Sequence, residues 1–173
     1  MFDTRRRVVT AHRNGRAIVA SDVEVPMDPV PGMTGWKICD LWAAADMQLP
    51  DTGERPEVPW YFPPVGGFRV MQVVMAPHTA AGHDAAAAAA ADGDKPSALA
   101  NMTDKPGMHR SDSVDVGFIV KGSVRCELDD GETIILHAGD TFIQGGTNHA
   151  WSNPFDEPCY MTAVSIGANR VEP

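Results

Sequence analysis

The sequence predicts an all-β domain, and two observations carry that prediction. Short runs rich in β-branched and aromatic residues recur along the chain, with turn residues between them every 8 to 12 residues or so, as in sandwiches and barrels. Hydrophobic residues make up 43% of the 173 residues and charged residues 21%, which is typical of a globular protein. At this length we expect one domain, spanning residues 1–173, with its own core.

The first strands are predicted near the N-terminus. RRRVVTAH and RAIVAS flank Asn14-Gly15, a dipeptide that suits a tight hairpin because both residues tolerate positive φ. We expect this hairpin, about residues 5–21, to add strands to one sheet. A third run, WKICDLW, precedes a Pro-rich stretch that can be neither helix nor central strand. Residues 1–67 are therefore assigned to N-terminal strands and a Pro-rich arm, and 68–166 to the barrel core.

The core begins with FRVMQVVMAP, in which both sets of alternate residues are mostly apolar, so this strand should be covered on both faces. An Ala-rich segment follows, with seven consecutive alanines, a potential N-cap at Asp84 and a stop at Gly93. It predicts a short helical insertion at 79–101, with a poorly ordered linker as the alternative. Five more strand-like runs follow Asp115, and Asp130-Gly131 should form the hairpin between the second and third.

Composition excludes several classes of partner. A formal net charge of −9 argues against nucleic acid, whose binding needs a basic surface. No apolar run approaches the roughly 20 residues that span a bilayer, and the N-terminus lacks the apolar stretch of a secretory signal. Three widely spaced cysteines favour buried free thiols in a reducing compartment over disulfides. We therefore expect a cytoplasmic protein without nucleic-acid or membrane partners.

Two stretches in the second half carry histidines and an acid between spaced glycines. They read HRSDSVDVGFIVKG and HAGDTFIQGGTNHAWSN. Over residues 68–166 the chain resembles the cupin superfamily, whose two motifs have this organisation. The matching positions are His109, Asp115 (where the family has glutamate), Gly122, Gly139, Gly146, His149 and Asn153. The resemblance implies a single antiparallel β-barrel, or jelly roll, that holds a divalent metal and a small molecule.

The chain also departs from the family pattern. Ser111 replaces the second histidine of the first motif, and Gln144 replaces the proline of the second. The resemblance therefore carries over a reduced ligand set, which consists of His109, Asp115 and His149.

Strand alternation gives independent support for that set. An extended segment without a bulge places His109, Ser111 and Asp115 on one side, and Trp151 and Asn153 on the side of His149. Two histidines and a carboxylate can form a facial triad with open positions, so Zn, Fe, Mn, Ni and Cu all remain possible. The alternative is that each group is solvated or hydrogen-bonded as ordinary structure. His78 and His83, beside the insertion, could complete the set.

A small-molecule pocket is predicted around these ligands, although aromatic and Met side chains are more often simply core. The predicted pocket residues are Ser111, Gln144, Trp151, Asn153, Met71 and Phe118. Two functions stay open: a metal-dependent enzyme (oxygenase, isomerase, decarboxylase or lyase) acting on a small organic molecule, or a non-catalytic binding module. A homodimer is expected, because an exposed hairpin edge invites pairing and the resembling proteins commonly pair.

Overall fold

The computed structural model describes residues 3–30, 35–47, 49, 51–57, 62–77, 105 and 107–171. Throughout these ranges the regular structure is β, apart from one 3₁₀ turn at Asp129–Gly131, and this confirms the predicted class. The strands are β1 (Thr4–Arg13), β2 (Arg16–Pro26), β3 (Asp28–Pro29), β4 (Trp36–Ala44), β5 (Phe68–Met75), β6 (Ser113–Lys121), β7 (Ser123–Glu127), β8 (Thr133–His137), β9 (Thr141–Gly145), β10 (Ala150–Ser152) and β11 (Cys159–Gly167). The predicted helix at 79–101, with His78 and His83, lies outside the described residues.

The strands form three antiparallel sheets. The largest has six strands in the order β3-β4-β5-β11-β6-β9, the second has the order β10-β7-β8, and β1 and β2 pair alone. The six- and three-stranded sheets face each other across the main core, which includes Met75, Val124 and Met161. Because β4 pairs with β5, the large sheet already begins in the N-terminal part of the chain. In the described residues, no helix has the length and apolar character needed to cross a membrane.

Both predicted hairpin turns are confirmed by the backbone. Asn14 and Gly15 connect β1 to β2 with φ of 52° and 75°, and Asp130 and Gly131 have φ of 57° and 78° between β7 and β8. These left-handed conformations are accessible to glycine and tolerated by Asn and Asp, which is why the sequence marks the turns.

The N-terminal hairpin does not extend a sheet, which corrects the prediction. It forms its own two-stranded sheet on the outer face of the large sheet, where Met27, Cys39 and Val74 make a second apolar cluster. Arginines on β1 fix it there: the Nε of Arg5 donates to the Oε1 of Gln72 at 2.7 Å, and Arg7 donates to a carbonyl on β4. These contacts lie across the face of the sheet, so the hairpin is placed over it and not beside its edge.

Strand β5 is covered on both faces, as predicted. Met71, Val73 and Met75 are buried in the main core, while Val74 is buried under the hairpin. The three cysteines, Cys39, Cys126 and Cys159, are buried and free, also as predicted.

Candidate ligand site between the two sheets

A cavity lies between the six-stranded sheet and the three-stranded sheet. Its volume is about 100 Å³, the same order as the roughly 150 Å³ engineered cavity that admits benzene. Its apolar lining is Val30, Trp36, Ile38, Phe62, Met71, Val73, Phe142, Trp151, Met161 and Ala163, and its polar lining is His109, Asp115, Gln144, His149 and Ser165. Apolar walls with a few convergent polar groups are typical of small-molecule sites.

Register explains why the polar groups gather at one end of the large sheet's inner face. Residues opposite each other in antiparallel strands point to the same face, and the next inward residue is two positions along. One row crosses β9, β6 and β11 as Gln144, Asp115 and Ser165. The next inward rows contain Ala163 with Met71, and then Met161 with Val73. The cavity wall therefore changes from polar to apolar within about two residue steps.

The polar end is completed by two histidines that face each other. His109 and His149 form an isolated antiparallel bridge, in which each backbone N–H donates to the other's carbonyl at 2.9 Å. Their ring centroids are 4.3 Å apart. Trp151 lies against His149 at 6.1 Å in an edge-on arrangement, so the imidazole pair adjoins the apolar wall.

Each imidazole is oriented by a backbone carbonyl two residues before it. The Nδ1 of His109 lies 3.0 Å from the oxygen of Gly107, and the Nδ1 of His149 lies 2.9 Å from that of Thr147. A carbonyl can only accept, so both Nδ1 atoms carry the hydrogen. In a neutral ring the Nε2 lone pair is then available to a ligand or metal, an arrangement seen in many metal-binding histidines.

His149 is held in the neutral form. Burial, the largest cause, and the neighbouring His109 together lower the pKa of His149 from its ordinary 6.5 to about 4, although the hydrogen bond to the Thr147 carbonyl opposes the shift. At neutral pH its Nε2 is therefore an acceptor.

Asp115 lies in the same cavity but is tied to its own strand. The Oγ of Ser113 is 2.8 Å from the Oδ1 of Asp115 and 2.8 Å from the Oγ of Ser111. Because a carboxylate only accepts, Ser113 donates its one hydrogen to Asp115 and accepts from Ser111. These hydrogen bonds therefore connect the buried Ser111, just before β6, to Asp115 at the cavity.

The described residues bring together two of the three predicted metal ligands. Two imidazoles stand side by side, but within the described ranges no three His, Cys, Asp or Glu side chains form a group that could hold an ion. Asp115 is thus not grouped with His109 and His149 in this arrangement, and the predicted triad stays a prediction.

The other predicted pocket residues separate into two groups. Met71, Gln144 and Trp151 line the cavity as expected. Phe118 does not, which corrects the prediction: it lies on the outer face of β6 and is 45% exposed, while Gly117 and Ile119 face inward.

Ser111 and Asn153 are also corrected as pocket-lining residues. Ser111 is buried and reaches the cavity only through Ser113. Asn153 is fully buried, donates to the carbonyls of Met75 and Glu157 at 2.9 and 2.8 Å, and accepts from the backbone of Phe155. All its polar groups are used in joining the loop after β10 to the end of β5.

Sequence reasoning missed Ser113 and Ser165. Both are nearly fully buried, and Ser165 lines the cavity opposite Asp115. The signal that could have found them was strand alternation. Ser113 is two residues from Asp115, and Ser165 follows Cys159, Met161 and Ala163 as the one polar residue in that alternate set.

Two facing antiparallel sheets around a partly polar cavity define the class as a double-sheet jelly roll. Comparison with known proteins gives the family: residues 98–165 match the model of the cupin domain. The chain is therefore similar to the cupin domain over this part of its length, which is less than half of the 173 residues.

Curated relatives match a shorter segment. Phomopsin biosynthesis cluster protein C' of Diaporthe leptostromiformis is 48% identical over 46 residues, which are 27% of this chain and 24% of the relative. Oryzines biosynthesis cluster protein J of Aspergillus oryzae is 40% identical over 50 residues, 29% of this chain and 28% of the relative. The cupin-domain-containing oxidoreductase virC of Hypocrea virens is 39% identical over 46 residues, 27% and 24% respectively. The chain thus matches about a quarter of the length of each relative.

Proposed function

We propose that the chain is an enzyme acting on a small organic molecule bound in the cavity between the sheets. The observation that carries the proposal is the pair of imidazoles, His109 and His149, oriented through Nδ1 at the polar end of an apolar cavity. The resemblance to proteins named cupin-domain-containing oxidoreductases supports catalysis and favours redox chemistry within it.

The chain's own residues would divide the work between binding and proton transfer. The apolar wall, including Met71, Val73 and Met161, would hold the body of the substrate and exclude water. The neutral His149 would accept a hydrogen bond, or a proton, from the substrate at Nε2, while the Thr147 carbonyl keeps its ring in place.

A divalent metal is the proposed cofactor, with His109 and His149 as its first two ligands and Asp115 as the predicted third. When bound, Zn, Fe, Mn, Ni or Cu would supply Lewis-acid or dioxygen chemistry. Such a site needs Asp115 to approach the two imidazoles, with which it forms no ion-holding group among the described residues, or a further ligand to join them.

The test combines metal retention with turnover. The protein, purified without a metal-affinity tag, is incubated with each metal in turn, desalted and assayed by elemental analysis, then mixed with one-ring phenols, alcohols and carbonyl compounds under air. We expect stoichiometric metal and at least one product by mass spectrometry. His149→Gln should lose both, whereas His12→Gln, on the exposed hairpin, should lose neither.

A non-catalytic binding module is the second candidate, because the described residues lack a three-ligand group. It predicts that a cavity-sized ligand quenches the fluorescence of Trp36 or Trp151 without being converted, whichever metal is added. Binding without turnover would therefore replace the enzyme proposal with this one.

A further inference from the structure

Three polar side chains form one row on the inner face of the large sheet. Gln144 is paired with Asp115 across β9 and β6, and Asp115 with Ser165 across β6 and β11. All three line the cavity. Directly opposed residues in antiparallel strands have their side chains close together on one face, so the three groups can contact a single ligand group.

Gln144 and Ser165 have no partner within the described part of the protein. The two residues are only 7% and 4% exposed, and no described residue forms a hydrogen bond with either side chain. Neither is among the described side-chain atoms that are both fully enclosed and unpartnered, so their polar atoms remain accessible from the cavity. Buried amides and hydroxyls normally have partners, because leaving them unpaired costs free energy. Their position on the cavity wall indicates that the partner enters from the cavity.

Asp115, between them, is held in one orientation. Ser113 donates to its Oδ1, and Ser111 in turn supports Ser113. Within the described chain its Oδ2 has no hydrogen-bond partner, so it remains as an acceptor. A carboxylate fixed by buried hydroxyls is preorganised, which reduces the entropy that binding has to overcome.

We propose that Gln144, Asp115 and Ser165 recognise a neutral hydrogen-bond-donating group, such as a hydroxyl or an amide N–H, on a substrate with an apolar body. The donor's hydrogen is accepted by Asp115, and the amide of Gln144 and the hydroxyl of Ser165 bond the donor's lone pairs or neighbouring atoms. The proposal rests on the proposed function, since it names the class of substrate that the cavity takes.

The charges around the row disfavour an anionic ligand. Asp115 would repel it, and Arg69, which continues the row on β5, already bonds to the Oδ2 of Asp40 at 3.2 Å. With Asp115 in this role, the metal proposed above would take a further ligand beside His109 and His149; among the described residues these three side chains do not form a group that could hold an ion.

The experiment compares 4-fluorophenol with 4-fluorotoluene, which are nearly the same size and differ in a hydroxyl against a methyl group. Each is titrated into the full chain and followed by ¹⁹F NMR. The wild-type protein should bind the phenol at least about tenfold more tightly, which is the factor for about 1.4 kcal/mol at 25 °C. Asp115→Asn and Ser113→Ala should reduce that preference at least threefold.

The affinity ratio separates recognition from structural damage, because a loosened cavity weakens both probes together. Ser123→Ala is the matched control: its hydroxyl contacts His137 at 2.9 Å, outside the cavity, and the ratio should stay unchanged. If Asp115→Asn does not fold, Ser165→Ala provides the same measurement with a smaller change.

Each remaining outcome overturns the inference. Equal binding of both probes by the wild-type protein would refute the recognition of a hydrogen-bond donor by this row, but the proposal of a small-molecule cavity would stand. Binding of neither probe refutes both. Loss in Asp115→Asn of a metal that the wild-type protein retains would make Asp115 a metal ligand and not an acceptor for the substrate's donor group.

Discussion

The two faces of the six-stranded sheet depart from ordinary burial in opposite ways. At its polar end the inner face buries Gln144 and Ser165, together with Ser111 and Ser113, whose hydroxyls lead to Asp115. The outer face, where the hairpin does not cover it, exposes apolar side chains on three adjacent strands. They are Val114, Phe118 and Val120 on β6, Ile143 on β9 and Ile166 on β11.

Buried polar groups and exposed apolar groups are the informative exceptions to the general rule of burial. The inner exception indicates a place for a small ligand, because its groups converge on a cavity. The outer exception lies on the open face of a sheet, where the outward residues of these strands carry no charge except Lys121 at the end of β6, and such a face suits another protein surface. The same strands therefore present two different candidate binding surfaces, distinguished only by residue parity.

The largest contrast is expected in stability. Met75→Ala removes a fully buried side chain from the inner core and should lower the free energy of unfolding by about 2–5 kcal/mol. Val120→Ala, on the outer face and 61% exposed, should change it by less than about 0.5 kcal/mol. Urea denaturation of both variants measures the difference, and equal losses would mean that the two faces do not differ in burial.

The free energy of unfolding should depend on pH because His149 is buried at the cavity. The folded pKa of His149 is about 4 and its unfolded value about 6.5, so the unfolded state binds more protons between them. In metal-free protein the stabilisation is full above pH 6.5 and falls by up to about 3 kcal/mol as the pH drops through that window. Urea denaturation at pH 7.5, 5.5 and 4.5 should show this fall for wild-type protein and a smaller one for His149→Asn. An unchanged profile in the variant would assign the fall to other groups.

Two glycines provide a finer comparison. A Cβ at Gly117 on the inner face would overlap the ring of Phe142, which packs against Trp151 in a tilted arrangement with centroids 4.9 Å apart. Gly117→Ala should cost about 1–3 kcal/mol through overpacking and should alter the tryptophan emission. Gly145→Ala, on the edge strand with open space around its Cβ, should do neither. Thermal unfolding and fluorescence spectra test both, and a neutral Gly117→Ala would show that the inner wall yields easily.

The smallest effect on stability, and the sharpest test of the outer face, concerns assembly. Five apolar side chains exposed by 37% to 66% leave open on the order of 400 Å², about half of one partner's share in a standard interface. We expect a weak homodimer through this face, since a chain of net charge −9 meets its copy most easily where acidic side chains are absent. In analytical ultracentrifugation the Ile143→Glu variant should sediment as a monomer. The Val19→Glu variant, which carries its change on the N-terminal hairpin, should still sediment as a dimer. The reverse result would place the interface on the hairpin.

Much of the fold was predictable because its signals are local. Turn dipeptides at positive φ and runs of strand-forming residues marked the hairpins and most strands. The position of the N-terminal hairpin was not predictable in this way, because it depends on contacts between Arg5 and residues more than 60 positions away. The short β10 was also missed, since three residues carry little periodicity.

In the site, the alternation of side chains along a strand predicted the positions of some residues correctly and was applied wrongly to others. It placed His109 with Asp115 and His149 with Trp151, and all four residues line the cavity. The same parity puts Phe118, three residues from Asp115, on the opposite face, so its assignment contradicted the rule used for Asp115. Asn153 escaped the rule for a physical reason: β10 ends at Ser152, and beyond it the chain turns.

The most direct test of the central claim, that the imidazole pair faces the cavity as oriented acceptors, is a long-range ¹H–¹⁵N spectrum of histidine-labelled, metal-free protein at pH 7. Single His→Gln variants assign the signals of His109 and His149. We expect hydrogen on Nδ1 of both rings, directed to the carbonyls of Gly107 and Thr147, and an unprotonated Nε2 on His149. A proton on Nε2 of His149, in either the other tautomer or the charged ring, would contradict the claim.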